Sequence, residues 1–533
     1  MNTTNTDSRR SHNQVNATAA DSAPARWNRH PYRADRSAPI SLLDAIGYGL
    51  GDAYSGGSGG LVGTYLVLFW TRFCGMSIAT AQSVLGLSAV ISGISSLVFG
   101  VLDDNLFRFG VGRRFGRRHF FILLTAPLLL VGMLMWVPGL PFVVYFLVYL
   151  LWVAVGQLFA SAYNTLPGEM TSSFDGRTKL STVRLLISGA SGTVILWSGS
   201  LVLSVFGEHR PAGYMVLAFG VTLFCVLAVL ICWRTTWEMT PADAGFDRYM
   251  HGGFRASRLG LRDWGRRMAR MAGEYASTLK IASFRRHLAI YLLILTASDV
   301  FGQTFLFFVI YDWHKSAAFA SLLLSTGIIS VPLTPLFGVA MTKFGPKRLY
   351  KLSFAGCLVG LAWIFAAWRL LGVLPDAWWM VIAVTGVLFF FCAKGLAGYL
   401  PWAVFPFIAD VDQLVSGRYR GSTFSGFQGF FRQCTAGLAS VCVGAVLGLV
   451  GFDSSLRSQS PLACNGLAAL MFGWYGISII IAWIIVRRFT LDKRTDAIAL
   501  AEVDRIQSGG APSDISPAIR SIVEDLTGQP YGR

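Results

Sequence analysis

The chain has 533 residues; 54% are hydrophobic, 14% are charged, and the mean hydropathy is +0.54. A soluble core of this length needs far less apolar surface, so the composition excludes a soluble enzyme or binding module and indicates a polytopic membrane protein. The formal net charge of +17 does not mark a nucleic-acid binder, because the cations fall in a few loops and tails.

Residues 1–40 are polar, with neither the apolar core nor the cleavage site of a signal peptide, and read as a disordered tail. Beyond them lie about twelve apolar runs, each near the ~20 residues that cross ~30 Å of hydrocarbon. They fall near 42–70, 79–103, 120–138, 142–167, 182–207, 212–234, 288–312, 318–342, 349–371, 376–408, 422–451 and 466–488. Their length, the absence of period-two alternation and the Gly and Pro they contain predict helices. After the second run, Gly100 to Arg118 ends in Arg114-Phe-Gly-Arg-Arg118; after the eighth, Gly338 to Arg348 ends in Lys343-Phe-Gly-Pro-Lys-Arg348. Related text at matching places predicts an all-α membrane protein of two six-helix bundles, 41–235 and 288–490, enclosing a path between them.

A basic linker, 236–287, joins the bundles. Its stretch from Arg255 to Tyr275 sets Leu259, Leu261, Trp264, Met268 and Met271 among arginines, a pattern that suits a helix on an anionic leaflet and a solvated linker about equally. Residues 491–533 form a polar tail in which Gly509, Gly510 and Pro512 end any helix beyond Ile506. Arginines crowd the segment before the first run, the loop after the second, the linker and the segment after the last; the opposite gaps carry few, such as Arg72, Arg210 and Lys315. The positive-inside rule therefore puts both termini and the linker in the cytoplasm, with the bilayer as a constant partner. Trp70, Trp136, Trp313, Trp378 and Trp379 lie near the outer ends and read as headgroup anchors. The eight cysteines show no metal spacing; most are packing residues, and Cys74 and Cys464 near the outer ends could pair.

Ionisable groups inside spans usually face a cavity or a partner, so they map the candidate site. Asp44, Tyr48, Asp52 and Ser55 make one helical stripe in the first span; Gln157, Ser161 and Asn164 make another in the fourth, and Arg184, Ser188 and Ser191 a third in the fifth. Arg184 suits the cavity and the cytoplasmic gate equally, with Asp175 or Glu169 in reach of the latter. In the second half Thr296, Asp299 and Gln303 share a face, Lys394 lies inside the tenth span, and Gln428 and Arg432 lie one turn apart in the eleventh. Either Asp299 forms a structural salt bridge with Lys394 or Arg432, or these cations meet a hydroxyl, carboxylate or phosphate of a solute while Asp52 or Asp299 cycles a proton.

Two longer texts complete the pattern. One is Tyr163-Asn-Thr-Leu-Pro-Gly-Glu169 followed by Phe174-Asp-Gly-Arg-Thr-Lys-Leu-Ser-Thr-Val-Arg184; the other is Ala409-Asp410, Gly417-Arg-Tyr-Arg420-Gly421, Phe424 and Arg432. With the repeated loop, they resemble the glycoside-pentoside-hexuronide:cation symporters, the melibiose-carrier branch of the major facilitator superfamily, over residues 41–495. The resemblance implies the major facilitator fold and transport by alternating access. It also implies that the repeated loop gates the cytoplasmic ends, here through Asp103 or Asp104 with Arg113, Arg114 and Arg117. Arg184 matches the family arginine opening the fifth span, and Arg432 stands where a lysine near the cation site is common. The family's two cation-binding carboxylates fall on Ser92 and Ser96, its first-span sugar aspartate on Gly56, its fourth-span aspartate on Ala160, and its stacking aromatic on Asn164.

The expectation is a proton-coupled secondary transporter for a saccharide or glycoside-like solute in the cytoplasmic membrane, monomeric and without cofactor or metal. Tyr48, Asp52, Gln157, Asn164, Arg184, Asp299, Gln303, Lys394, Gln428 and Arg432 would face the solute, and Asp52 and Asp299 would carry the coupling. A lysophospholipid or other amphipath is the second transport reading, and a non-transporting scaffold or receptor the reading from another class. No nucleotide-binding Gly-Lys-Ser/Thr loop occurs, and His30, His119 and His209 are scattered, which argues against an enzyme.

Overall fold

The computed structural model describes residues 32–33, 35–207, 210–245, 273–452 and 458–532, and the described residues are helical apart from loops and one isolated bridge between Tyr32 and Glu238. The first bundle comprises α1 (Leu42–Leu61), α2 (Ile78–Asp104), α3 (Arg117–Val131), α4 (Phe142–Tyr163), α5 (Phe174–Phe206) and α6 (Pro211–Thr235). The second comprises α7 (Ala282–Tyr311), α8 (Ser330–Phe344), α9 (Pro346–Arg369), α10 (Asp376–Val404), α11 (Gly421–Leu449) and α12 (Tyr475–Arg487). Among the described residues, 11 helical runs are long and apolar enough to cross a membrane. The Gly- and Ser-rich α1 is not one of them, but it continues through a π-helical turn (Val62–Leu66) into Val67–Phe73 and packs against α5 and α6.

Each bundle has its own apolar core. The bundles meet along two seams, α2 against α11 and α5 against α8. Close approach at the first seam depends on missing side chains: a Cβ on Gly426 would lie 2.3 Å from the Ser96 carbonyl oxygen, and one on Gly100 2.6 Å from that of Ser422. The repeated loops share a turn, since Gly116 (φ +86°) and Gly345 (φ +74°) both take a backbone conformation that favours glycine and release the chain into α3 and α9. At the start of α3, the Glu238 carboxylate accepts from the backbone N–H of Arg117, Arg118 and His119 at 3.0, 2.9 and 2.7 Å. A carboxylate there satisfies orphan donors and opposes the helix dipole.

The structure corrects several expectations. Residues 32–40 were assigned to a disordered tail, yet the described ones form a strap on the first bundle. Arg33 donates to Glu238 O (3.0 Å) and lies over the Trp237 ring, and Arg36 donates to Gly168 O (2.6 Å). The polar C-terminal tail folds into α13 (Lys493–Gln507) and α14 (Pro517–Thr527), which pack under the second bundle. Asp44 belongs to no cavity stripe, because with Ser41 it forms the capping box that starts α1. Trp70, Trp136, Trp313 and Trp379 are buried packing residues, and of the five only Trp378 is exposed. Trp70 and Trp379 spend their indole N–H on the Met135 and Ala367 carbonyls, which ties helix ends together. Cys74 and Cys464 are free thiols. Most of the Arg255–Tyr275 stretch lies outside the described residues, which resume at Gly273.

Candidate functional site

At the end carrying the Arg-rich loops, the two bundles are locked by a buried charge network. Arg118 is its hub: its guanidinium donates to Asp103 (2.6 Å), Asp104 (2.6 Å), Glu169 (2.8 Å) and the Ser422 hydroxyl (2.5 Å). Arg117 adds Glu169 (2.7 Å) and, across the seam, the Tyr419 carbonyl (3.1 Å). Asp104 accepts from the backbone N–H of Thr423 (2.6 Å) and Ser422 (3.3 Å), so a carboxylate of the first bundle caps α11 of the second. Arg177 crosses the same seam to the Asp410 carboxylate and to Pro406 O (3.2 Å). Of the expected gate residues, Asp104 and Arg117 are in this network, while Arg114 is exposed and lies over the Phe115 ring. The side chain of Arg113 lies outside the described residues. The turn at Gly116 accounts for the difference: Arg114 before it is exposed, and Arg117 and Arg118 after it open a buried helix turn.

Above this lock lies a cavity of about 370 Å³ between the bundles. The first bundle contributes Ser96, Gln157, Ser161 and Asn164; the second contributes Tyr291, Trp402, Ser425, Gln428, Arg432 and Gln433. Asn164 donates to the Ser425 hydroxyl across the bundles (3.0 Å), and its Oδ1 is buried without a partner. Gln157 donates to Ser92 (2.9 Å), and Gln428 accepts from His287 Nε2 in the tautomer that carries the proton there (3.0 Å).

The ionisable residues resolve into two matched pairs. Arg184 of α5 holds Asp52 of α1 (3.1 and 3.5 Å), and Arg432 of α11 holds Asp299 of α7 in a bidentate pair (2.5 and 2.8 Å). First with fifth helix and seventh with eleventh are the same positions in the two repeats. The first pair is buried, with Arg184 over the rings of Tyr163 and Trp402, whereas the second is about one quarter exposed beside the cavity. Arg184 thus meets neither Asp175 nor Glu169.

Several expected solute contacts are not among the cavity-lining residues. Tyr48 stacks on Tyr163 at 4.6 Å and donates to the Tyr163 carbonyl behind the wall. Gln303 donates to Ser440 (3.3 Å), and Lys394 lies between the rings of Phe301 and Phe391 rather than bonded to Asp299. Tyr291, Trp402, Ser425 and Gln433 line the cavity without having been expected there. Of these, Ser425 had a usable signal, since Ser425, Gln428 and Arg432 fall at i, i+3 and i+7 on one helix face.

The chain matches the family model described as MFS/sugar transport protein over residues 47–493. It is 20% identical over 465 residues to a glucuronide carrier protein homolog of Escherichia coli (strain K12), covering 83% of this chain and 92% of that protein. It is 22% identical over 464 residues to the uncharacterized symporter YjmB of Bacillus subtilis (strain 168), covering 84% and 92%. The proton:xylose symporter XylE bound to 6-bromo-6-deoxy-D-glucose superposes with TM-score 0.59 at 14% identity, covering 87% of this chain and 98% of that one. A bacterial homologue of the iron transporter ferroportin in an outward-facing state gives TM-score 0.56 at 10% identity, covering 84% and 99%. At these identities the two structures speak to the fold alone.

Proposed function

Because the chain belongs to the MFS/sugar transport protein family, of the glycoside-pentoside-hexuronide:cation symporter type, and has the major facilitator fold, we propose that it moves a saccharide-class solute across the membrane by alternating access. The observation that carries this is the cavity between the bundles, lined by polar groups from both and closed at the basic end by contacts that must break for the other state to form. Amides of Gln157, Asn164, Gln428 and Gln433 match sugar hydroxyls, and Tyr291 and Trp402 offer rings for a sugar face.

The finer reading concerns Arg432. An acidic sugar would compete with Asp299 for the Arg432 guanidinium, and Asp299, displaced from its cation, is the proposed proton carrier. One solute carboxylate then enters with one proton. Asp52, held by Arg184 in the buried pair, is the second carboxylate of the proposed coupling. By the positive-inside rule the basic end faces the cytoplasm in a cytoplasmic membrane, with the strap and α13 on the same side. Counterflow of labelled glucuronide and neutral glucosides in reconstituted vesicles tests the reading. Saturable exchange supports it; no exchange of any saccharide, with protein confirmed folded and inserted, removes it.

A further inference from the structure

α13 and α14 give the closed end a component that the cavity does not explain. α14 is anchored to the second bundle: Ser283 donates to Leu526 O (2.7 Å), Arg286 reaches the Asp525 carboxylate (3.2 Å), and Val523 and Leu526 join that bundle's core. α13 runs from this anchor across the seam. Lys493 at its start reaches Asp175 of the first bundle (2.6 Å), and Gln507 at its end donates to Asp243 O (3.0 Å).

Between these contacts Asp496 is 1% exposed beside Arg177 of α5. The Arg177 guanidinium is already occupied by Asp410 and by the carbonyls of Thr171, Pro406 and Gly168, and Asp496 Oδ1 has no hydrogen-bond partner. The charged groups around Asp496 come from four elements: Arg177 and Asp175 from α5, Asp410 from the short helix Ile408–Ser416, Arg36 from the strap, and Asp492 and Lys493 next to it in sequence. Burial, opposed by Arg177 and Arg36 and reinforced by Asp410 and Asp492, pushes the carboxyl up to about 8. Asp496 also lines a second cavity, of about 580 Å³, with Asp35, Asp243 and Asp504. That cavity offers a route for protons from the basic end.

We propose that Asp496 is a proton-binding site completed only when the two bundles meet at the basic end, so that the C-terminal helices form a latch that takes up a proton on closing and releases it on opening. The inference rests on the alternating-access reading above. When the first bundle swings away, Arg177 leaves and Asp496 meets water, where an aspartate titrates near ~3.9. The closed form therefore binds the proton more tightly. Its advantage is full below that value, shrinks by up to about tenfold in the closed-to-open ratio per pH unit as pH rises, and is gone once pH passes about 8.

The test uses the full chain in detergent, with spin labels on bioorthogonal residues at exposed Val111 of the first bundle and Val415 of the second. In the wild type, the long-distance population should grow severalfold between pH 6 and 8.5. In Asp496→Asn it should stay flat, and Asp496→Ser, neutral and smaller, gives the same reading should the Asn variant not fold. An equal rise in wild type and neutral variants overturns the latch while leaving transport intact. If labels separate under no pH and no solute, and vesicles show no counterflow, both readings fall together.

Discussion

At the scale of single residues, Arg118 and Arg114 make the sharpest contrast, because both belong to the repeated loop text and only one is buried in the lock. Arg118→Ala strands Asp103 and Asp104 without their shared cation and leaves Glu169 with Arg117 alone, which should cost about 3–5 kcal/mol in thermal or denaturant unfolding. Arg114→Ala should change stability by no more than about 0.5 kcal/mol. The same logic applies to Asp299 and Arg432, with a discount because the pair is about one quarter exposed. A double-mutant cycle of Asp299→Asn and Arg432→Gln should return a coupling of about 1 kcal/mol, and the cycle of Asp299→Asn with Lys394→Met close to none. These partners were only partly legible. Helical spacing put Gln157 and Asn164 on one face and Gln428 and Arg432 on another, but partner choice among Asp299, Lys394 and Arg432 depends on interhelical distance, which sequence does not carry. Likewise, nothing local separates Arg114 from Arg118 except the turn at Gly116 between them.

At the scale of elements, hydropathy found the spans and misjudged their ends. α5 starts at Phe174 and not at 182, and α7 at Ala282 and not at 288, because polar first turns full of Arg and Ser read as loop. Those turns hold Arg177 and Ser283, which make cross-element contacts. The seam of α2 and α11 rests on small residues, Gly100 and Gly426 among them, that no local pattern in the sequence marks. It yields a test: Gly426→Leu places atoms where a Cβ alone would stand 2.3 Å from the Ser96 carbonyl oxygen and 3.1 Å from Gly100 Cα. The two nearest atoms are backbone and the third is the Tyr275 hydroxyl at 3.2 Å, so the bundles should part at the basic end, seen as a lengthened Val111–Val415 distance or as new alkylation of Ser422→Cys. Gly437→Leu, on the same helix with nothing within 4 Å of its Cβ position, should leave the distance unchanged.

At the scale of the whole molecule, two bundles in series were legible from twelve apolar runs and a repeated loop, because both signals are long-range regularities of composition. The strap at 32–40 and the helices α13 and α14 were not. α13 buries only Ala499 and Val503 as apolar residues, whereas α14 carries a helical stripe of Ile519, Ile522, Val523 and Leu526 that Gly509, Gly510 and Pro512 separate from the rest of the chain. The proposed coupling is tested at this scale too. At the positions where family resemblance puts cation-binding carboxylates, Ser92 accepts from Gln157 and Ser96 donates to Gly426 O, so both hydroxyls are neutral and engaged. Sodium needs several oxygen ligands and gains from carboxylate charge, which leaves this spot poor in both. In the proposed cycle Asp299, paired with the cavity-lining Arg432, is the proton carrier. Uptake into vesicles should therefore be indifferent to replacing sodium by choline. An imposed proton gradient should drive accumulation, a protonophore should abolish it, and Asp299→Asn should retain counterflow while losing accumulation. Saturable sodium stimulation that survives Asp299→Asn would sink the assignment, since it would require a cation site formed by residues other than these.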